Sequence, residues 1–134
     1  MFELLRIRPC DPQWKEFCGI LTKAFNTLDP PDYAPSFREN YGFCKDRRII
    51  GTAIVDIESE ISVCITNVAV DPARHRQGIG MEMMTQLCGY LSSRFQKARL
   101  ATSVEKVKFY DLLGFELDRY QPSAQIQMMT RKLR

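Results

Sequence analysis

Apolar residues recur along the chain with two spacings, and the changes from one to the other divide it into elements. Residues 3–8, Glu-Leu-Leu-Arg-Ile-Arg, read as a first strand that Pro9 and Pro12 end. Asp11-Pro12 reads as an N-cap followed by proline at the first helical position. The helix it opens is expected to run to about Phe25, with Trp14, Phe17, Cys18, Leu21 and Phe25 on one face. Residues 26–35 hold three prolines and two aspartates and read as a loop. A short helix is expected over 35–40, a strand over 41–45, and a longer strand over 48–58 carrying Ile50, Ala53 and Val55.

Residues 61–70 are apolar on both alternations: Ile61, Val63, Ile65 and Ala69 on one, Cys64, Val68 and Val70 on the other. That pattern predicts a central strand buried on both faces. Thr66 and Asn67 interrupt it and permit a bulge. A helix is expected over 78–95, with Ile79, Met83, Leu87, Tyr90, Leu91 and Phe95 as its buried stripe and Met81, Met83 and Met84 as packing residues. A strand over 98–102, a helix over 103–113 ended by Gly114, and strands near 115–120 and 125–133 complete the order. The succession predicts one mixed sheet with helices packed on it.

Composition narrows this picture. At 134 residues with 45% apolar, residues 1–134 suit a single domain with one core. A net charge of +3, with its basic residues scattered, lacks the Lys/Arg stripe of a nucleic-acid binder. The five cysteines include no C-x-x-C pair, and His75 is the only histidine, so no metal site is expected. Unpaired cysteines in apolar stretches suit a reduced, cytoplasmic setting. The start is not that of a signal peptide, and no apolar run reaches the length of a membrane span, so no membrane partner is expected.

The chemistry concentrates at Arg74-His75-Arg76-Gln77-Gly78-Ile79-Gly80, between the buried strand with its Asp71-Pro72 and an amphipathic helix. Glycines at 78 and 80 permit close backbone approach. First-turn amides lack partners within the helix, so they and its dipole attract a phosphate. Arg74 and Arg76 add charge. A dinucleotide fingerprint would need glycine where Met83 stands and an acidic residue closing the next strand. A P-loop would need Gly-Lys-Ser/Thr where the chain has Ile79-Gly80-Met81.

With the strand Val68-Ala69-Val70-Asp71-Pro72 before it and Phe109-Tyr110-Asp111-Leu112-Leu113-Gly114-Phe115 after it, this loop resembles the acetyl-CoA loop of the GCN5-related N-acetyltransferase (GNAT) superfamily. The element order fits nearly the whole chain. The resemblance implies an α/β (α+β) fold whose mixed, mostly antiparallel central sheet is flanked by helices. It implies acetyl-CoA as acyl-donor cosubstrate and a small amine or peptide amine as acceptor. The thioester arm would lie in a V-shaped slot where the central strand splays from the strand after it, meeting the strand backbone at Val68, Ala69 and Val70, and the pyrophosphate would meet the amides from about Arg76 to Gly80, with Arg74, His75, Gln77 and Ile79 in the same loop. Three positions depart from the family pattern: His75 stands where Arg or Gln is usual, Ser103 where Asn is common, and Lys106 where a small residue is common. The resemblance casts Tyr110 as general acid, since a phenol with a pKa near 10 carries its proton at neutral pH.

The general base is open. Glu60, Glu58 and Asp56, near the start of the central strand, are candidates, while Asn67 and Thr66 are placed to position water or the acceptor. Asp29, Asp32 and Tyr33 of the proline loop are candidate acceptor contacts, and Tyr41 and Tyr120 could line the slot. Direct transfer in a ternary complex is expected rather than an acyl-enzyme on Cys64, which has no base beside it in sequence. Two other readings stand beside the N-acyltransferase: a regulatory module that keeps the CoA slot without catalysis, and an unrelated small α/β binding domain. A homodimer covering the C-terminal strand edges is also compatible with the pattern.

Overall fold

In the computed structural model, residues 2–25, 37–74, 78–119 and 123–134 are described. Among these residues seven strands form one sheet: β1 (Glu3–Ile7), β2 (Arg38–Lys45), β3 (Arg48–Ile57), β4 (Ser62–Val70), β5 (Lys97–Ser103), β6 (Glu116–Leu117) and β7 (Ile126–Lys132). Their order is β1-β2-β3-β4-β5-β7-β6, and only the β4–β5 pair is parallel. The sheet is therefore mixed and mostly antiparallel, as expected. Three helices pack on it: α1 (Trp14–Phe25), α2 (Ile79–Leu91) and α3 (Val107–Leu112).

The two faces have separate cores. Ile7, Ile49, Ile54 and Ala69 meet Phe17, Ile20 and Leu21 of α1 on one face. On the other, Phe43, Ile50, Val55, Val63, Ile65 and Leu100 meet Met83, Met84, Leu87 and Leu91 of α2. The methionines at 83 and 84 are fully buried, as the packing reading has it.

Three expectations are corrected. The helix over 35–40 fails from Arg38 onward, because Arg38, Glu39 and Asn40 pair with Asp56, Val55 and Ile54 as the start of β2. Their partners lie eighteen or fewer residues away but on another strand, which local pattern does not reveal. Asp11 does not cap a helix starting at Pro12. Its carboxylate accepts from Arg8 N at 2.6 Å in a turn, and α1 begins at Trp14. Tyr90 is largely exposed, since Cys88 and Leu91 carry the buried stripe at that turn.

Candidate active site

The site begins where β4 and β5 part. They pair from Ser62–Lys97 to Ile65–Leu100 and no further. Beyond that point β5 stays with β7 through Ser103–Ile126, and β4 stays with β3 through Val70–Gly51. A wedge opens between them. The permitted bulge lies at its apex: Asn67 has φ 51°, and the β3–β4 register shifts between Thr52 and Ile54. Thr52 Oγ1 donates to the Asn67 carbonyl at 3.3 Å and steadies the irregular turn. Asp71 N donates to Ile50 O at 2.8 Å. By the alternation of an antiparallel ladder, the backbone groups of Val68 and Val70 then turn away from β3 and toward the wedge.

A cleft of about 890 Å³ occupies this wedge. Val68, Ala69 and Val70 line it from β4, and Gly78, Ile79 and Gly80 from the start of α2. Gly78 is the N-cap of α2 with φ 71°, a left-handed conformation that favours glycine. A Cβ at Gly78 would meet no protein atom within 4 Å, and one at Gly80 would meet only ordinary contacts with Phe109 and Val70. The protein itself does not crowd these glycines. The room they leave faces the cleft, where the unpartnered first-turn amides of a 13-residue helix face it. Those amides and this room fit a pyrophosphate. Arg74 lines the same wall and is half-buried.

Tyr110 closes the opposite side. Its ring is buried, edge-on to Phe109 at 5.0 Å and to Phe115 at 5.9 Å between centroids. Burial, with a smaller contribution from the nearby Cys88, pushes its phenol up to about 12. No buried side-chain oxygen among the described residues lacks a hydrogen-bond partner, and no partner stands at Tyr110 Oη. The hydroxyl therefore reaches the cleft surface, where Tyr110 is a lining residue.

The structure does not gather every expected residue here. Glu60 is exposed in the β3–β4 turn, at the end of β4 remote from the wedge. Thr66 is half-buried opposite Ile54, next to Asn67 at the apex. Ser103 ends β5, and the lining beyond it comes from Glu105 and Lys106. Tyr41 lies outside the cleft, donating to Glu39 Oε1 at 2.6 Å. Cys64 is half-buried, and burial pushes its thiol up, away from thiolate chemistry. His75, Arg76, Gln77, Asp29, Asp32, Tyr33 and Tyr120 lie outside the described residues. Lys23, Ala24 and Phe25 at the end of α1 also line the cleft. Their period marked only a helix face, and nothing local signals that the helix ends at a site. Among the described residues no group of His, Cys, Asp and Glu could hold a metal ion, and no helix is long and apolar enough to cross a membrane.

A model of the acetyltransferase (GNAT) domain matches residues 38–117, from β2 through β6. No curated protein matches the chain by sequence. Among solved structures, Escherichia coli ElaA is similar at TM-score 0.79 and 16% identity, covering 98% of this chain and 100% of that one. A GNAT family acetyltransferase from Elizabethkingia anophelis with acetyl-CoA bound is similar at 0.79 and 15% identity, covering 98% and 97%. The ribosomal-protein-S18-alanine N-acetyltransferase of Escherichia coli is similar at 0.79 and 17% identity, covering 99% and 94%. At such identities the likeness shows the fold.

Proposed function

The chain belongs to the GNAT family of acetyltransferases, and from that premise we propose that it moves an acetyl group from acetyl-CoA to a primary amine by direct attack in a ternary complex. The observation that carries this reading is the parting of β4 from β5 after Ile65 and Leu100, which brings strand backbone, a helix start and a tyrosine hydroxyl to one cleft. Val68 and Val70 hold the pantetheine arm through their backbone, with Ala69 between them. The amides from Arg76 to Gly80 hold the pyrophosphate, and Arg74, with His75 and Gln77, supplies the flanking polar groups.

The neutral amine nitrogen bonds to the thioester carbonyl carbon, the C–S bond breaks, and the leaving sulfur takes a proton. Tyr110 is the proposed donor. At about 12 the phenol keeps its proton at every working pH, yet it is a weaker acid than a thiol of ordinary pKa about 8.5. Complete transfer to a free thiolate would run uphill by about 3–4 units. The phenol therefore keeps its proton and hydrogen-bonds the sulfur as it leaves, and the proton the thiolate finally takes up is the one the amine gives up, carried by water. Asn67 and Thr66, at the apex of the wedge, position the acceptor or a water that takes the amine proton. Asp29, Asp32 and Tyr33 remain the proposed acceptor contacts from the loop.

A thiol-release screen with acetyl-CoA against small amines, amino acids, polyamines and peptide N-termini tests the reading. Release with at least one class is expected. Tight acetyl-CoA binding with no release from any class would instead support a CoA-binding regulatory module. The exposed, remote position of Glu60 is the observation that favours that alternative.

A further inference from the structure

A second cavity, of about 540 Å³, lies between the edge strand β1 and the C-terminal half of α2, lined by Phe2, Glu3, Leu4, Arg6, Tyr41, Gln86 and Tyr90. It shares no lining residue with the transfer cleft. Its volume falls in the range of small-molecule sites.

The wall is built on a buried carboxylate. Glu39 is 6% exposed and takes two hydrogen bonds from Arg94, at 2.7 and 2.9 Å. Tyr41 Oη donates to it at 2.6 Å, and Arg6 Nη1 lies 3.3 Å away. Two guanidinium groups thus face one carboxylate. Arg94 is fully engaged: it also donates to Tyr41 Oη at 3.4 Å and to Tyr90 Oη at 3.3 Å. Tyr41 has spent its proton on Glu39. Among the described residues nothing else takes up the rest of the Arg6 guanidinium or the O–H proton of Tyr90, whose oxygen accepts from Arg94, so these groups remain for the cavity. The Glu3 carboxylate does not cancel this charge, because Glu3 shares the alternation of Leu5 and Ile7, which pack toward α1. Leu4 and Phe2 share the Arg6 alternation and pack toward α2.

We propose that this cavity is a binding site for a monocarboxylate with an aromatic or branched aliphatic body, the carboxylate held by Arg6 and Tyr90 and the body against Phe2, Leu4 and Tyr41. One uncommitted guanidinium edge matches a single carboxylate, which it can meet with two parallel N–H donors. A phosphate dianion would need a second free cation, and Arg94 is already bound to Glu39. A cationic ligand would meet Arg6 directly. The site is independent of the acetyl-transfer reading.

The probe is 3-phenylpropanoate, followed by amide chemical shifts of the full chain in saturating acetyl-CoA, with 3-phenylpropanamide and phenethylamine as neutral and cationic counterparts. The carboxylate is expected to shift amides of residues 2–6, 41, 86 and 90 saturably. The two counterparts should bind at least tenfold more weakly. Arg6→Gln should weaken the carboxylate at least tenfold, and Gln86→Trp, a surface change that fills the cavity mouth and leaves Glu39 and its partners in place, should abolish binding even if Arg6→Gln loosens the fold. Equal binding of acid and amide, shifts confined to the transfer cleft, or no saturable shift at these amides would each overturn the proposal. Persistence of the shifts without acetyl-CoA affinity would leave it standing and sink only the transfer reading.

Discussion

Two residues of the cleft carry separable consequences. Tyr110 is anchored by Phe109 and Phe115 through its ring, and among the described residues its hydroxyl has no hydrogen-bond partner. Tyr110→Phe should therefore keep the fold and the acetyl-CoA affinity while lowering kcat by about 10²-fold or more, the low end of general-acid contributions. A change in acetyl-CoA Kd as large as the change in kcat would assign the residue to packing. Burial also fixes the pH behaviour. With its phenol pushed up to about 12, Tyr110 cannot produce an alkaline limb in kcat below about pH 11. Its contribution to stability is complete below the unfolded value of about 10 and is lost as pH rises from there through the folded value. Gly78 differs in kind. A Cβ there meets no atom of the described residues within 4 Å, but the residue must adopt φ 71°, which costs about 1–2 kcal/mol. Gly78→Val should lower stability by about that amount and raise the acetyl-CoA Kd at least tenfold, measured by calorimetric titration. An unchanged Kd would remove α2's start from the binding site.

At the scale of elements, the periodic stretches were legible and the polar ones were not. The two alternations of residues 61–70 and the stripe on α2 located β4 and α2, because apolar spacing follows directly from which faces are buried. Arg38-Glu39-Asn40 read as helix because its polar residues find partners far away: Arg38 with Asp56 at 2.7 Å, and Glu39 with Arg94, fifty-five residues on. The bulge was legible only as an interruption at Thr66-Asn67, whereas its φ of 51° depends on the β3 register. The Glu39 cluster, invisible in sequence, ties β2 to the end of α2 and gives an acid-sensitive contribution. Glu39 is held below the ordinary carboxylate range, chiefly by the Arg94 hydrogen bonds. Its stabilisation is present above the unfolded value of about 4.3 and is lost as pH falls through the lower folded value. Glu39→Gln leaves two guanidinium groups without their anion. Since both are about one-third exposed, the expected cost at pH 7 is about 2–3 kcal/mol rather than the full value for a dry pair. Urea midpoints should converge for wild type and variant as pH drops toward 3, and parallel curves would refute the assignment.

The whole molecule places its cleft by topology. A parallel β4–β5 pair needs a crossover, and α2 supplies it, so the helix start necessarily returns to the C-terminal end of β4. Where the two strands separate is decided by their other neighbours: β3 keeps β4 and β7 keeps β5. No local spacing encodes that competition, which is why the loop at 74–80 reads from its sequence as a candidate anion site and the wedge beside it follows only from resemblance. A ligand in the wedge would bridge two halves of the sheet that lose their mutual hydrogen bonds beyond Ile65 and Leu100. Acetyl-CoA should therefore stabilise the fold as a whole, by about 2.7 kcal/mol at one hundred times its Kd. For a domain of this size that is a rise in Tm of roughly 8–10 °C. The rise should grow logarithmically with concentration, and it should shrink in Gly78→Val and persist in Tyr110→Phe. A Tm that acetyl-CoA leaves unmoved, in a protein that unfolds cooperatively, would mean that the wedge does not hold the donor.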